Sequence, residues 1–367
     1  FTTADSADEK LISKLLIYAC YVPLWQSGFA TRLNDVSADA WPSALRSLIR
    51  VCVHEPLRER HFRERLFSGR KIRDRVSSAV QAQYEANPYP RWLAIARRDV
   101  ETIEQRVLRW CPGYVAPAAL RGQLRVLVAG CGTGMDAIEA ALHLEGAQVT
   151  AVDLSGASLA YALRKAEEYG LENIQFRQQD ILDLDRGGSP YHFIHCTGVL
   201  HHMENPATGL ERLLALLIPG GVIKLALYSQ VARHGLLAAR EFIHTSGLAP
   251  RVEDIRAFRR QVLEDGEASP LADIIGSTDF FSLSECRDLL FHVHEVQFTL
   301  PEVGSLLMHA GLDFLGFELP IPQVEAGFRR EHPGEALTSL EAWNAYELRH
   351  PESFRAMYQF WCRKRAI

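Results

Sequence analysis

"VLVAGCGTGMDAIEAAL", residues 126–142, decides how the rest of the chain is read. An unbroken apolar run passes through three glycines into apolar residues at helical spacing, so a strand, a tight turn and a helix are expected. Gly130, Gly132 and Gly134 let backbone amides approach a ligand with no Cβ in the way. The dinucleotide fingerprint needs a further glycine at 135, where Met135 stands. No Gly-Lys-Ser/Thr comes after it, which excludes the Walker loop. The remaining G-x-G-x-G suits a nucleoside bearing an amino acid. On its own the triplet is a weak signal, because tight strand-to-helix turns use glycine for structural reasons.

Two acids downstream strengthen it. Asp153 ends the next apolar strand, "AQVTAVDLS", 19 residues after Gly134, where a carboxylate can accept both ribose hydroxyls. Its competing role is a helix N-cap, but Ser155 is better placed for that. Asp180 comes after "NIQFRQQ" at the end of a third strand and can take an adenine amino group while Ile181 packs on the ring. The bland alternative for Asp180 is a solvated turn carboxylate.

From Arg125 onward, strands alternate with helices. "YHFIHCTGVLHH" and "VIKLALYS" give strands four and five, and Leu210, Leu213, Leu214 and Leu217 mark a helix stopped by Pro219-Gly220-Gly221. "LDFLGFEL" (312–319) and "MYQFWCRK" (357–364) supply the last two, the final one antiparallel. The expected fold is α/β: a doubly wound, Rossmann-like, mostly parallel seven-stranded sheet. A helical insertion over about residues 229–311 should cap the carboxyl edge of that sheet. Residues 1–110 read as an N-terminal helical region and 111–367 as the sheet domain. Within the first, "YEANPYPRW" (84–92) is extended because its prolines forbid a helix, and a further helix is expected over 93–110.

Composition sets limits. The 367 residues carry a net charge of −5, which gives no global attraction to nucleic acid. "RERHFRERLFSGRKIRDR" (58–75) is basic but poor in aromatics, so it reads as a solvated helix face and nucleic-acid binding is disfavoured. Seven cysteines lack metal-ligand spacing and point to reduced thiols in the cytoplasm. "LISKLLIYACYVPLW" (11–25) is shorter than the roughly 20 residues of a membrane span and reads as a buried helix, so no membrane role is expected. A start at Phe1 points to a trimmed beginning.

The three strand-end sites, taken in order, resemble class I S-adenosylmethionine-dependent methyltransferases over roughly residues 122–228. "QYEANPYPRW", "VLHHMENP", "LYSQVAR" and "RDLLFHVHEVQFTL" are further similar to a bacterial methyltransferase group often fused to tetratricopeptide repeats. No such repeat is visible, so the chain is a stand-alone member or a shortened one. His192 holds a position where such enzymes usually carry aspartate, with little consequence expected for the cofactor. The resemblance implies S-adenosylmethionine as cofactor, with S-adenosylhomocysteine as product. The expected contacts are Gly130, Cys131, Gly132, Thr133, Gly134, Asp153, Leu154, Asp180, Ile181, Cys196 and Thr197.

A sulfonium is an activated donor, so the protein must align the acceptor, exclude water and, for a hydroxyl, amide or ammonium acceptor, remove a proton. His201, after strand four, is the expected base, with His202 pointing elsewhere. Tyr89 is a second candidate for closing the site or deprotonating the acceptor. Tyr84, Arg91 and Trp92 are expected to serve a lid over the cofactor, Arg91 pairing with a carboxylate. His202, Asp288, His292 and Glu295 are candidate substrate contacts. His292 and His294 could share a strand face, but no ligand cluster surrounds them and no metal is expected. The expected acceptor is nitrogen or oxygen on a small molecule or a peptide or protein side chain. A missing Asn/Asp-Pro-Pro-Tyr/Phe after strand four disfavours exocyclic base methylation. A cofactor-binding regulatory module without turnover is the alternative, and a homodimer stays open.

Overall fold

The computed structural model describes residues 6–66, 72–185, 190–266, 271–319, 321–355 and 357–366. The chain forms two compact units, Phe1–Phe67 and Ser68–Ile367. The division falls well before residue 110 because helix Arg75–Ala86 and the strap after it are tied into the sheet unit. Gln81 Nε2 on that helix, for example, donates to the Leu154 carbonyl at 2.9 Å.

The first unit is helical, with Leu24, Trp41, Leu45, Ile49 and Val53 as its core. Its first helix, Ser6–Ala19, is less buried than its composition suggests, leaving Leu16, Ile17 and Tyr18 exposed. Much of the basic run lies on helix Glu55–Leu66, where Arg58 and Arg65 cover the Phe62 ring at 5.5 and 5.8 Å. Residues 67–71 of that run lie outside the described residues.

The second unit is built on seven strands: β1 Leu124–Ala129, β2 Ala147–Asp153, β3 Ile174–Gln178, β4 Tyr191–Thr197, β5 Leu217–Tyr228, β6 Leu312–Phe317 and β7 Met357–Lys364. Their order is β3-β2-β1-β4-β5-β7-β6. Strands β1 to β5 run parallel, and β7 lies antiparallel between β5 and β6. Apolar runs such as "LRVLVA" in β1 are buried on both faces, as a helix-covered parallel sheet requires. Strand order reverses between β1 and β4, and a doubly wound sheet opens its ligand crevice beyond the carboxyl ends at such a point.

Three expectations need correction. Residues 91–102 are mostly extended, and the helix there is only Ile103–Leu108. The extended backbone is held from outside: Ile95 N–H donates to the Tyr169 hydroxyl at 2.7 Å and Arg98 N–H to His143 Nε2 at 3.3 Å. The cap is shorter than 229–311. Helices His234–Thr245, Val252–Asp265 and Leu283–Leu290 share a core around Ile255, Phe258 and Phe280. Helix Leu300–His309, by contrast, packs on β6 and belongs to the sheet layers. Finally, residues 290–297 form no strand, so alternate residues there do not share a face.

Candidate active site

A cavity of about 480 Å³ opens at the carboxyl ends of β1, β2 and β4. Its floor is Gly130–Thr133 of the glycine turn, while Gly134, expected as a contact, lies outside the lining because it packs against Ala162. Gly130 has φ +70°, and a Cβ there would sit 2.3 Å from Val199 Cγ2. At Gly134, with φ +84°, a Cβ would lie 2.5 Å from the Ala162 Cβ. These two glycines are therefore demanded by packing of the fold itself. Gly132 differs: its Cβ would press the Tyr89 carbonyl at 3.1 Å, so the small residue admits the passing segment above.

Asp153 closes the next side of the cavity. Its Oδ2 accepts from Gly132 N–H at 2.7 Å and its Oδ1 from Ser155 N–H at 2.8 Å. Burial raises its pKa to about 6 despite those two donors. Ser155 caps helix Gly156–Glu168 through the Ser158 amide at 3.0 Å, which leaves Asp153 facing the cavity. Asp180 is 5% exposed, not a solvated turn group. It accepts from Leu182 N–H at 2.9 Å, burial raises its pKa, and it lines the cavity with Ile181 and Leu154. Thr197 lines it too. Cys196 does not, because it is fully buried on the opposite side of β4.

The Asn87–Trp92 segment is a pinned strap. Thr133 Oγ1 donates to the Pro90 carbonyl, and Trp92 Nε1 donates to the Thr133 carbonyl at 3.2 Å. The Tyr161 hydroxyl donates to the Trp92 carbonyl, and Lys165 Nζ lies 5.1 Å from the Trp92 ring centroid. Trp92 is thus a core anchor, and Arg91 turns outward over the Tyr161 ring at 5.3 Å. Neither lines the cavity, whereas Tyr84, Tyr89 and Pro90 do. Upstream of the strap, Glu85 accepts from Gly156 and Ala157 N–H at 2.6 and 3.3 Å, seating a carboxylate on a helix N-terminus.

The histidine assignment reverses. His201 is 0% exposed and absent from the lining, stacked on Tyr228 with ring centroids 3.7 Å apart. Burial holds its pKa well below the usual histidine value. His202 faces the cavity instead. Its Nδ1 donates to the His294 carbonyl at 2.8 Å, which leaves Nε2 unprotonated, and burial lowers its pKa to about 3. His292 lies behind it, stacked at 3.6 Å, and is kept neutral by burial, which lowers its pKa to about 2. Glu295 is no substrate contact: it accepts two bonds from Arg233, at 3.0 and 2.9 Å, and one from Arg240 at 2.6 Å. His294 is occupied by the Met203 carbonyl at 3.1 Å. No group of three or more potential metal ligands occurs among the described residues.

Beyond Asp153 and Asp180 the cavity continues to Tyr84, Tyr89, Tyr228 and Asp288. The Tyr84 hydroxyl donates to Asp288 Oδ1 at 2.7 Å, joining residues 204 positions apart. Burial, offset by that bond and by Arg233, raises the Asp288 pKa to about 6. The guanidinium of Arg233 covers the Tyr228 ring at 3.8 Å. Tyr228 and Arg233 belong to "LYSQVAR", a stretch legible as a motif but not as a cavity wall. Asp279 and Ser277, from the cap, carried no local signal.

Residues 126–221 match the family model described as a methyltransferase domain. An uncharacterised Synechococcus protein is 28% identical over 273 residues, covering 66% of this chain and 60% of its own length. A ubiquinone biosynthesis O-methyltransferase of Paracidovorax citrulli is 31% identical over 155 residues, 42% of this chain and 63% of that protein. The chain thus spans about three-fifths of the length of these relatives. Among solved structures, PKMT2 from Rickettsia typhi shares the fold with a TM-score of 0.53 and 17% identity, over 78% of this chain and 55% of that one.

Sheet order, glycine turn and strand-end acids form a Rossmann-like, mostly parallel α/β unit, of which residues 126–221 are the part similar to a methyltransferase domain. The turn residues, Asp153, Asp180 and Ile181 follow one another along the sheet edge and line one end of the cavity.

Proposed function

We propose that the chain is an S-adenosylmethionine-dependent methyltransferase acting on nitrogen or oxygen of a peptide or protein side chain or a small molecule. One observation carries the reading: the cavity runs past Asp153 and Asp180 into a second, differently lined end at Tyr84, Tyr89, His202, Tyr228 and Asp288. A binding-only module needs the first end alone. When bound, the cofactor supplies an electrophilic methyl group. The chain's residues have the remaining tasks: the turn amides and Asp153 orient the donor, the strap and cap shield the site, and the second end seats the acceptor.

The strap motif Asn87–Trp92 and "LYSQVAR" further support membership of the group often fused to tetratricopeptide repeats. Seven free cysteines support a reducing, cytoplasmic setting. Among the described residues no helix is long and apolar enough to cross a membrane. The test is transfer of labelled methyl from S-adenosylmethionine into extract of the source cell. Label in a product with wild-type protein, and none with Asp153→Ala, is the expected result. Cofactor binding with no labelled product in any extract would return the protein to the class of binding modules.

A further inference from the structure

The second end of the cavity has a chemistry of its own. A carboxylate, Asp288, sits among three phenols from separate elements: Tyr84 on helix Arg75–Ala86, Tyr89 in the strap and Tyr228 at the end of β5. All three tyrosines feel its charge, and Tyr84 bonds it directly. A second acid, Asp279, lines the same end. The Arg233 guanidinium shares the Glu295 carboxylate with Arg240 and stays a positive neighbour of Asp288. Arg355, the other cation of the lining, is exposed at the rim. His202 and His292 are held neutral. Both faces of the Tyr228 ring are taken, by His201 and Arg233, so what the end offers an occupant is the Asp288 and Asp279 carboxylates beside the Tyr84 and Tyr89 phenols, a combination that suits a cation.

Resting on the methyltransferase reading, we infer that the acceptor is an aliphatic amine that enters as an ammonium, held by the Asp288 carboxylate among Tyr84, Tyr89 and Tyr228, and that Asp288 takes its proton. The balance is simple. The ammonium gives one proton to Asp288, and the freed lone pair attacks the sulfonium methyl. A C–N bond forms as the C–S bond breaks with its electrons on sulfur. The product leaves as a methylated ammonium beside a neutral thioether, and Asp288 returns its proton to water. Asp288 is suited to this task because Tyr84 fixes one oxygen and leaves the other for the acceptor. A neutral amide or phenol acceptor would gain nothing from the second acid.

The test uses the full chain saturated with S-adenosylhomocysteine and two probes, N-acetyl-lysine amide and its uncharged isostere, the N-acetyl amide of 2-aminoheptanoic acid. Calorimetry should show the lysine probe binding at least about tenfold more tightly, with that advantage lost in Asp288→Asn while S-adenosylhomocysteine affinity stays at the wild-type value. Equal binding of the two probes, or an unaltered preference in Asp288→Asn, overturns the inference. A product analysis separates it from the broader reading. Methyl label in acid-stable N-methylamines supports both, whereas label only in base-labile esters or phenolic ethers refutes the amine and keeps the methyltransferase.

Discussion

His201 and Tyr228 lie face to face, ring centroids 3.7 Å apart at 24°, and Tyr228 lines the cavity while His201 does not. The stack gives the neutral imidazole a packing role. His201→Phe should keep the stack, the fold and most methyl transfer. His201→Ala should cost about 3 kcal/mol of stability by opening a void behind Tyr228. Urea unfolding and turnover measured on both variants check this. Loss of turnover in a stable His201→Phe protein would restore His201 as the base.

Stability should decline in acid, and buried histidines are the cause. His201, His202 and His292 are neutral in the folded chain, their pKa values lowered by burial, well below the usual value for His201 and to about 3 and 2 for the other two. Unfolded, they bind protons near pH 6.5, so their contribution is full above that pH and lost progressively below it. Asp153 and Asp288 work the other way. Raised to about 6, they bind protons in the folded state before the unfolded one, returning stability as pH falls through 6. His192 and His195, also lowered by burial, add to the loss, and Asp180 and Glu347, raised by burial, to the return; the histidines outnumber the carboxyls, so stability falls as pH drops through this range. His202→Asn should flatten that slope in urea titrations at stepped pH. An unchanged slope would mean His202 is not neutral in the native chain.

Legibility in the sequence tracks the range of the interactions involved. The glycine turn, Asp153 and the strands are local: a buried parallel strand must be apolar along its length, and β1 is. The choice between His201 and His202 is not local. Adjacent residues in the turn Leu200–His202 differ in fate because Tyr228 stacks on one and His294 anchors the other. Asp288 meets Tyr84 only through the cap, so no spacing rule could pair them. One miss was avoidable. Thr102 and Gln105 form a capping box, and T-x-x-Q marks where the short helix begins, ten residues later than the expected start at 93.

Cofactor affinity should depend on Asp153 ionisation. Ribose hydroxyls donate best to a carboxylate, and the Asp153 pKa of about 6 in the free protein means that this form is lost as pH drops through 6. S-adenosylhomocysteine binding, measured by calorimetry, should therefore weaken toward tenfold per pH unit below that point. Asp153→Asn should bind more weakly at pH 8, by about ten- to a hundredfold, and lose the acid limb. A wild-type profile that stays flat to pH 5 would contradict the raised pKa.

Glu295 should matter for stability and for the acceptor, but not for the cofactor. Arg233 and Glu295 side chains are each 2% exposed, and the pair is bidentate, with Arg240 adding a third bond. Replacing the acid strands a buried guanidinium, which costs about 3–5 kcal/mol, far more than a surface pair. Glu295→Gln should lower the unfolding midpoint accordingly. It should also release positive charge beside Tyr228 and Asp288, since Arg233 covers the Tyr228 ring and its charge already acts on Asp288. Acceptor KM should rise more than kcat falls, with S-adenosylhomocysteine affinity unchanged. Glu295→Asp, which keeps the charge on a shorter arm, should fall between the two. A Glu295→Gln protein with wild-type stability would show that Arg233 has another partner ready, and the wall built on that pair would have to be redrawn.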